Sequence, residues 1–122
     1  MAERPHKKLI VWQEGVTFVK LIYKITSAFP KEEQFGLTSQ LRRASVSVPV
    51  NIAEGAARNS KKEMRQFLYV ADGSLSEVDT LLVIAIDLKY ITENDAKICI
   101  EKMDKLNALL KGLIRSINSS IT

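Results

Sequence analysis

The residues best suited to binding chemistry are six cations in the middle of the chain. Positions 42 to 65 hold Arg42, Arg43, Arg58, Lys61, Lys62 and Arg65 against two acids, a net charge of +4. Positions 72 to 104 hold eight acids and three lysines, a net charge of −5. Clustered cations that contact phosphates are typical of nucleic-acid-binding surfaces. The pattern predicts such a surface where the second and third helices meet. The alternative is a surface that only keeps the protein soluble.

Residues that could catalyse a reaction or hold a metal do not form a known motif. His6 is the single histidine, and the sequence has no Glu-x-x-His pair, glycine-rich phosphate loop or nucleophile elbow. The single cysteine, Cys99, lies on an apolar stripe, which predicts a buried, unreactive thiol. We therefore expect a protein that is not an enzyme, with no cofactor and no metal.

The composition indicates one globular domain built from helices. The chain has 122 residues, of which 46% are hydrophobic and 26% charged, with only 5 glycines and 3 prolines. No apolar run approaches the roughly 20 residues that a membrane span needs, so no membrane association is expected. The polar N-terminus does not resemble a secretory signal, and we expect a cytoplasmic protein.

Apolar spacing predicts the first two helices. Residues 9–29 carry two neighbouring apolar stripes with helical spacing, and Pro30 should end this helix. A second helix is predicted over about residues 37–57, with a kink near Pro49, because proline removes one backbone hydrogen bond. Residues 45–50 also alternate like a strand, but a lone strand would have no partner in a helical chain.

Capping signals predict the last two helices. Ser60 with Glu63 forms a capping box, and a 4,3 apolar spacing then continues to residue 85. Gly73 could let a neighbouring helix approach closely. Thr92 begins a fourth helix that ends near residue 118. The expected fold is all-α, an up-down-up-down antiparallel four-helix bundle over residues 9–118, with a mobile lead at 1–8 and a tail at 119–122.

Helix 2 carries a polar seam between two apolar faces. At 100° per residue, the seam comprises Gln40, Arg43, Ser47, Asn51, Glu54 and Arg58. One apolar face would pack in the bundle, and the other, with Val46 and Val50, would contact a neighbouring subunit. The alternative is that Arg43 and Asn51 touch RNA. If the seam is structural, replacing Arg43 should damage assembly more, and replacing Arg42 should damage binding more.

Several segments together resemble a known family. They are IVWQ at 10–13, FPKEE at 29–33, FGLTSQLRRA at 35–44, VPVNIAEG at 48–55, RNS at 58–60 and FLYVADGSLSE at 67–77. They resemble the four-helix-bundle proteins of the 23S ribosomal RNA intervening-sequence family over residues 9–90. The fourth helix matches only in its apolar pattern.

The resemblance implies a ring-shaped homopentamer. It also implies a relationship to accessory proteins of diversity-generating retroelements, which bind a reverse transcriptase and nucleic acid, and it supplies no catalytic residues. We therefore expect a non-catalytic homo-oligomer, pentameric by resemblance. It would bind structured RNA or DNA through Arg42, Arg58, Lys61, Lys62 and Arg65. The alternatives are a protein adaptor, for example one that docks a reverse transcriptase, and a bundle that binds a metal or small ligand.

Overall fold

The computed structural model describes residues 4–121, and these contain four α-helices and no strand. The helices are α1 (Ile10–Thr26), α2 (Leu37–Ala56), α3 (Lys61–Asp87) and α4 (Glu93–Ile121). Short 3₁₀ turns lie at Pro5–Lys8 and Lys31–Glu33. Each helix packs against two others, α1 and α3 both lying against α2 and α4. The all-α bundle prediction is confirmed, and residues 45–50 are helical; the full up-down-up-down order and the kink at Pro49 stay predictions.

The core is a continuous cluster to which every helix contributes a stripe. Among its largest fully buried side chains are Phe18, Ile22, Leu41, Ile52, Leu68, Leu82, Leu106 and Leu110. Only one of the two α1 stripes enters this core, the one that contains Val11, Phe18 and Ile22. Of the other stripe, Tyr23 is exposed and the remaining members are only half-buried. Leu9 and Trp12 of this stripe pack against the edge of the core, whereas Val16, Val19 and Tyr23 lie nearer the molecular surface.

Glycine and proline set the contact between α1 and α2. A Cβ atom at Gly15 would lie 3.3 Å from the Cβ atom of Pro49, so the missing side chain lets the helices approach closely. Pro49 is itself buried against α1. Tyr23 and Arg42 meet further along the same helix pair, which shows that α1 and α2 run in opposite directions.

The first helix ends three residues earlier than Phe29. It stops at Thr26, whose hydroxyl donates to the Ile22 carbonyl at 2.6 Å. Arg42 donates to the Tyr23 carbonyl at 3.3 Å. These bonds satisfy carbonyls of the last turn and let the chain leave the helix before Pro30. Phe29 still reaches the core, where its ring lies 5.5 Å from that of Tyr90.

Both predicted N-caps form. The Glu63 amide donates to Ser60 Oγ at 3.1 Å, and the Asp95 amide donates to Thr92 Oγ1 at 3.1 Å. At the ends of the chain, Pro5–Lys8 forms a 3₁₀ turn and α4 continues through residues 119–121. Residues 1–3 of the predicted lead and residue 122 of the predicted tail lie outside the described residues.

Candidate nucleic-acid and subunit interfaces

The corner between α2 and α3 is held by close backbone packing. A Cβ atom at Gly55 would lie 3.1 Å from the Met64 carbonyl oxygen and 3.2 Å from Phe67 Cβ. The two helices therefore nearly touch just before and after the turn that joins them. This contact fixes the direction in which the turn and the first residues of α3 project, and those are the residues that carry the predicted cations.

Two of the corner arginines are engaged within the chain. Arg58 pairs with Glu54, four residues earlier, at 2.6 Å, and its guanidinium lies 4.7 Å from the centre of the Phe67 ring. Arg65 donates from Nη1 to Asn118 Oδ1 at 3.1 Å, while its Nε is buried without a hydrogen-bond partner. Their charge still contributes to the local potential, but their geometry is set by neighbours.

Lys61 and Lys62 are the accessible cations of the corner. Both side chains are exposed in the first turn of α3, and neither forms an ion pair within residues 4–121. Lysine ammonium groups on flexible stems can follow a phosphate backbone without a preset geometry. Of the residues that the sequence indicated for binding, these two are the most available to a ligand.

The structure adds cations from both ends of the chain to this corner. Arg4 and His6 of the N-terminal turn line a shared cleft with Ala57, at the end of α2. The Arg65–Asn118 bond brings the last turns of α4 to the same place. The basic end of the bundle therefore contains Arg4, Arg58, Lys61, Lys62 and Arg65, together with their chain neighbours Lys7 and Lys8 in the N-terminal turn and Arg115 one turn before Asn118. Glu54 and Glu63 are the acids of the same end. Sequence reasoning missed the N-terminal cations because a polar lead carries no apolar periodicity that would place it.

Arg42 lies away from this end. It precedes Arg58 by 16 residues in a helical stretch, which corresponds to about 24 Å. Its Nε donates to Thr26 Oγ1 at 2.8 Å, and its guanidinium lies 4.6 Å from the centre of the Tyr23 ring. The five predicted phosphate contacts thus divide into four at the basic end and one that closes the last turn of α1.

The opposite end of the bundle is tied together by one carboxylate. Glu33 accepts the Leu37 amide through Oε1 at 3.0 Å and the Tyr90 hydroxyl through Oε2 at 3.1 Å. The hydrogen bond to Glu33 is the main reason why the pKa of Tyr90 is raised above its usual value. Phe35, in the same link, has 89% of its side chain exposed.

The polar seam of α2 is partly closed by α3. Ser47 Oγ lies 2.8 Å from Ser74 Oγ, and Asn51 Nδ2 donates to the Ser47 carbonyl at 2.8 Å. Gln40, Arg43 and Glu54 remain exposed. Arg43 also lines a groove of about 350 Å³ between α2 and α3, where Glu77 faces it without an ion pair. The Ser47–Ser74 bond therefore joins the two helices, and Asn51 supports Ser47 from within α2. Arg43 is left available to a partner outside the pair.

An apolar strip runs along the outer side of the first helix pair. This α1–α2 band consists of Trp12, Val16, Val19, Tyr23, Val46 and Val50. Tyr23 is 44% exposed and Val50 is 49% exposed, while the other four are half-buried. The Gly15–Pro49 contact holds the two helices together beneath it. The band contains the valines for which the sequence predicted a subunit contact.

Three other features of the described residues concern metal binding, the reactivity of the thiol and membrane insertion. Within residues 4–121 no three histidine, cysteine, aspartate or glutamate side chains are grouped so that they could hold a metal ion. Cys99 is buried, as predicted, and burial together with Asp95 raises its pKa from 9.0 to about 11. None of the helices in the described part of the chain is both long and apolar enough to cross a membrane.

Comparison with known protein families identifies the family of this chain. The model of the 23S rRNA-intervening sequence protein family matches residues 7–112. The chain belongs to this family. The match covers all of α1, α2 and α3 and most of α4, including the helix for which the sequence offered only an apolar pattern.

A solved structure supports the fold of this family member. The crystal structure of a protein of unknown function from the S23 ribosomal protein family of Bacteroides thetaiotaomicron VPI-5482 is 22% identical. It superposes with a TM-score of 0.80 over 87% of this chain and 96% of the other. At that identity the likeness establishes the fold alone. No protein with curated annotation matches the chain.

Proposed function

We propose that this family member is a non-catalytic homo-oligomer, pentameric as its resemblance implies, that binds structured RNA or DNA through the basic end of the bundle. One observation supports this most directly: four separate segments bring eight cations to one end, with Lys61 and Lys62 exposed and unpaired in the described chain. A surface of this kind recognises the phosphate backbone and gives little sequence preference.

Salt dependence tests the binding. A 25-base-pair RNA hairpin and a DNA duplex of the same length serve as probes between 50 and 200 mM salt. Affinity should fall steeply with salt, and Lys61→Glu with Lys62→Glu should weaken binding at every salt concentration. Losing two phosphate contacts should flatten the slope of log K against log salt by about 2 per copy. The matched control is Lys97→Glu with Lys102→Glu, which changes two exposed lysines of α4.

The control separates a basic-end site from a general effect of net charge. If both double variants weaken binding equally, the basic end has no special role. If affinity is flat over this range of salt, or if the Lys61 and Lys62 variant binds as the unmodified protein does, the proposal of a phosphate-binding surface is wrong.

The α1–α2 band supports self-association. Tyr23 and Val50 are exposed, and the other members of the band are only partly covered within the chain. A glutamate at the exposed Val50 should not disturb the core. Light scattering should give a mass that is a multiple of 13.7 kDa for the unmodified protein. Val46→Glu or Val50→Glu should give a smaller, folded species. An unchanged mass in both variants would exclude the band as a subunit contact.

A protein adaptor is the second candidate, and the exposed ring of Phe35 favours it. An aromatic side chain that is 89% exposed, at the end of the bundle opposite the basic end, is a typical anchor for a protein partner. Binding to a purified reverse transcriptase should then survive nuclease treatment and be lost in Phe35→Ser. Binding that disappears with nuclease would instead indicate a nucleic-acid bridge.

A further inference from the structure

The outer face of α3 has the form of a shallow saddle. Large apolar side chains occur as two exposed pairs, Tyr69 with Val70 and Val83 with Ile84, each between 43% and 52% exposed. Between the pairs, on the same side of the helix, lies the exposed Gly73. No atom lies within 4 Å of a Cβ atom placed at Gly73. The apolar pairs are 14 residues apart, which is about 21 Å along the helix.

The contacts between helices set this saddle at the level of the α1–α2 band. Ser47 of α2 contacts Ser74 of α3, and Pro49 of α2 contacts Gly15 of α1. The α2–α3 contact and that at Gly55 show that these two helices run in opposite directions. Counting along the antiparallel helices from these contacts, Val16 of the band stands at the height of Gly73.

Charge makes the two faces complementary as well. By the same count, Lys20 beside the band stands at the height of Glu77 beside the saddle. Both side chains are exposed, and neither forms an ion pair within residues 4–121. Between residues 66 and 88, α3 and its cap carry four acids and no cation. Band against band would oppose cations, and saddle against saddle would oppose acids, so the favourable pairing joins unlike faces.

We propose that a second copy of this chain docks its α1–α2 band on the α3 saddle, side by side and in the same direction. This inference rests on the proposed self-association and states which surfaces make it. Val16 of one copy lies over Gly73 of the next, flanked by the apolar pairs, and Lys20 faces Glu77. Because the two faces differ, each copy keeps one free face after docking, so copies add head to tail until a ring closes.

A mixing experiment tests this arrangement. Val50→Glu disables the band, and Gly73→Arg fills and charges the saddle where the monomer has open space. Each variant alone should run as a monomer of 13.7 kDa in light scattering. An equimolar mixture should form a one-to-one heterodimer, because one intact band meets one intact saddle. The matched control is Ala108→Arg on the exposed face of α4, which should assemble as the unmodified protein does.

Two other outcomes would contradict the proposal, and they can be told apart. If the unmodified protein is monomeric, self-association fails and this inference fails with it. If the unmodified protein assembles but Gly73→Arg assembles equally well, or the mixture stays monomeric, only the pairing of band with saddle is wrong. Circular dichroism identifies a variant that has not folded; Val16→Glu and Thr80→Arg then replace the two variants in the same mixture.

Charge reversal tests independently whether neighbouring copies are aligned in the same direction. Lys20→Glu and Glu77→Lys should each raise the dissociation constant of the assembly at least about tenfold, which is 1.4 kcal/mol. The two changes combined in one chain should restore it towards the original value. If the combined variant is weaker than either single variant, Lys20 does not face Glu77 and the copies are not aligned as proposed.

Discussion

Replacing Arg42 should cost stability. Arg42→Ala removes a charge-assisted hydrogen bond to Thr26, a bond to the Tyr23 carbonyl and the contact with the Tyr23 ring. A buried bond of this type contributes about 1.5–3 kcal/mol, but Arg42 is only half-buried. The carbonyl at the end of α1 and the ring each add about 0.5 kcal/mol. We expect a total loss of about 2 kcal/mol.

The loss can be measured by thermal and urea unfolding at one protein concentration, since assembly also affects stability. For a chain of this length, about 2 kcal/mol corresponds to a fall in Tm of about 8 °C. Arg43→Ala is the matched control, because this neighbouring arginine is exposed and forms no hydrogen bond or ion pair within the described chain. In monomeric protein it should change the free energy of unfolding by less than about 0.5 kcal/mol.

A double-mutant cycle isolates the central bond. Thr26→Val removes the hydroxyl that accepts from Arg42 Nε, and the coupling between the two substitutions should be about 1 kcal/mol. The reasoning is refuted if Arg42→Ala is as stable as Arg43→Ala, or if the coupling is zero. In that case Arg42 would be available to a ligand, and its weight in nucleic-acid binding should be measured directly.

Three further predictions concern packing, capping and pH. Gly55→Ala should lower the free energy of unfolding by about 1–2 kcal/mol, because the added Cβ would press on the backbone at Met64, which must then shift. Gly112→Ala is the control and should be neutral or slightly stabilising. Equal urea midpoints for the two variants would contradict this. Glu33→Ala should cost about 1 kcal/mol and speed hydrogen exchange at the Leu37 amide, while exchange should not change in Glu32→Ala. The Cys99 thiol stays protonated in the fold to about pH 11, so its contribution is complete below pH 9 and is lost as pH rises through 11. Cys99→Ala should therefore show a shallower alkaline loss of stability, and identical pH profiles would disprove the shift.

Apolar spacing and capping chemistry were enough to predict the helices. The core of α3 repeats every three or four residues for 22 residues. Ser60 and Thr92 each have a short hydroxyl side chain that accepts from an amide in the turn that follows. Local signals of this kind do not depend on the rest of the fold. They predicted the first residues of the helices more accurately than the last residues, as the early end of α1 shows.

The candidate site could be predicted only in part, because residues that are far apart in the sequence come together only in the folded chain. Lys61 and Lys62 are recognisable from their cluster, but Arg4 joins them only through folding of the N-terminal turn onto α2. Arg42 belongs to the same cluster in the sequence, but in the structure its side chain bonds to Thr26 at the end of α1. Gly73 was expected to admit a neighbouring helix, yet no helix of its own chain lies near it.

The separation of charge along the bundle has a consequence for avidity. Each copy concentrates its cations at the Lys61 end, and copies aligned in one direction bring these ends together on one side. A closed ring of such copies would be a two-sided disc with its cations concentrated on one rim. A long nucleic acid lying on the cationic rim would contact several copies at once. Weak contacts to each copy would then multiply into tight binding to the ring, and dissociating the ring would release the ligand even if every lysine stayed in place.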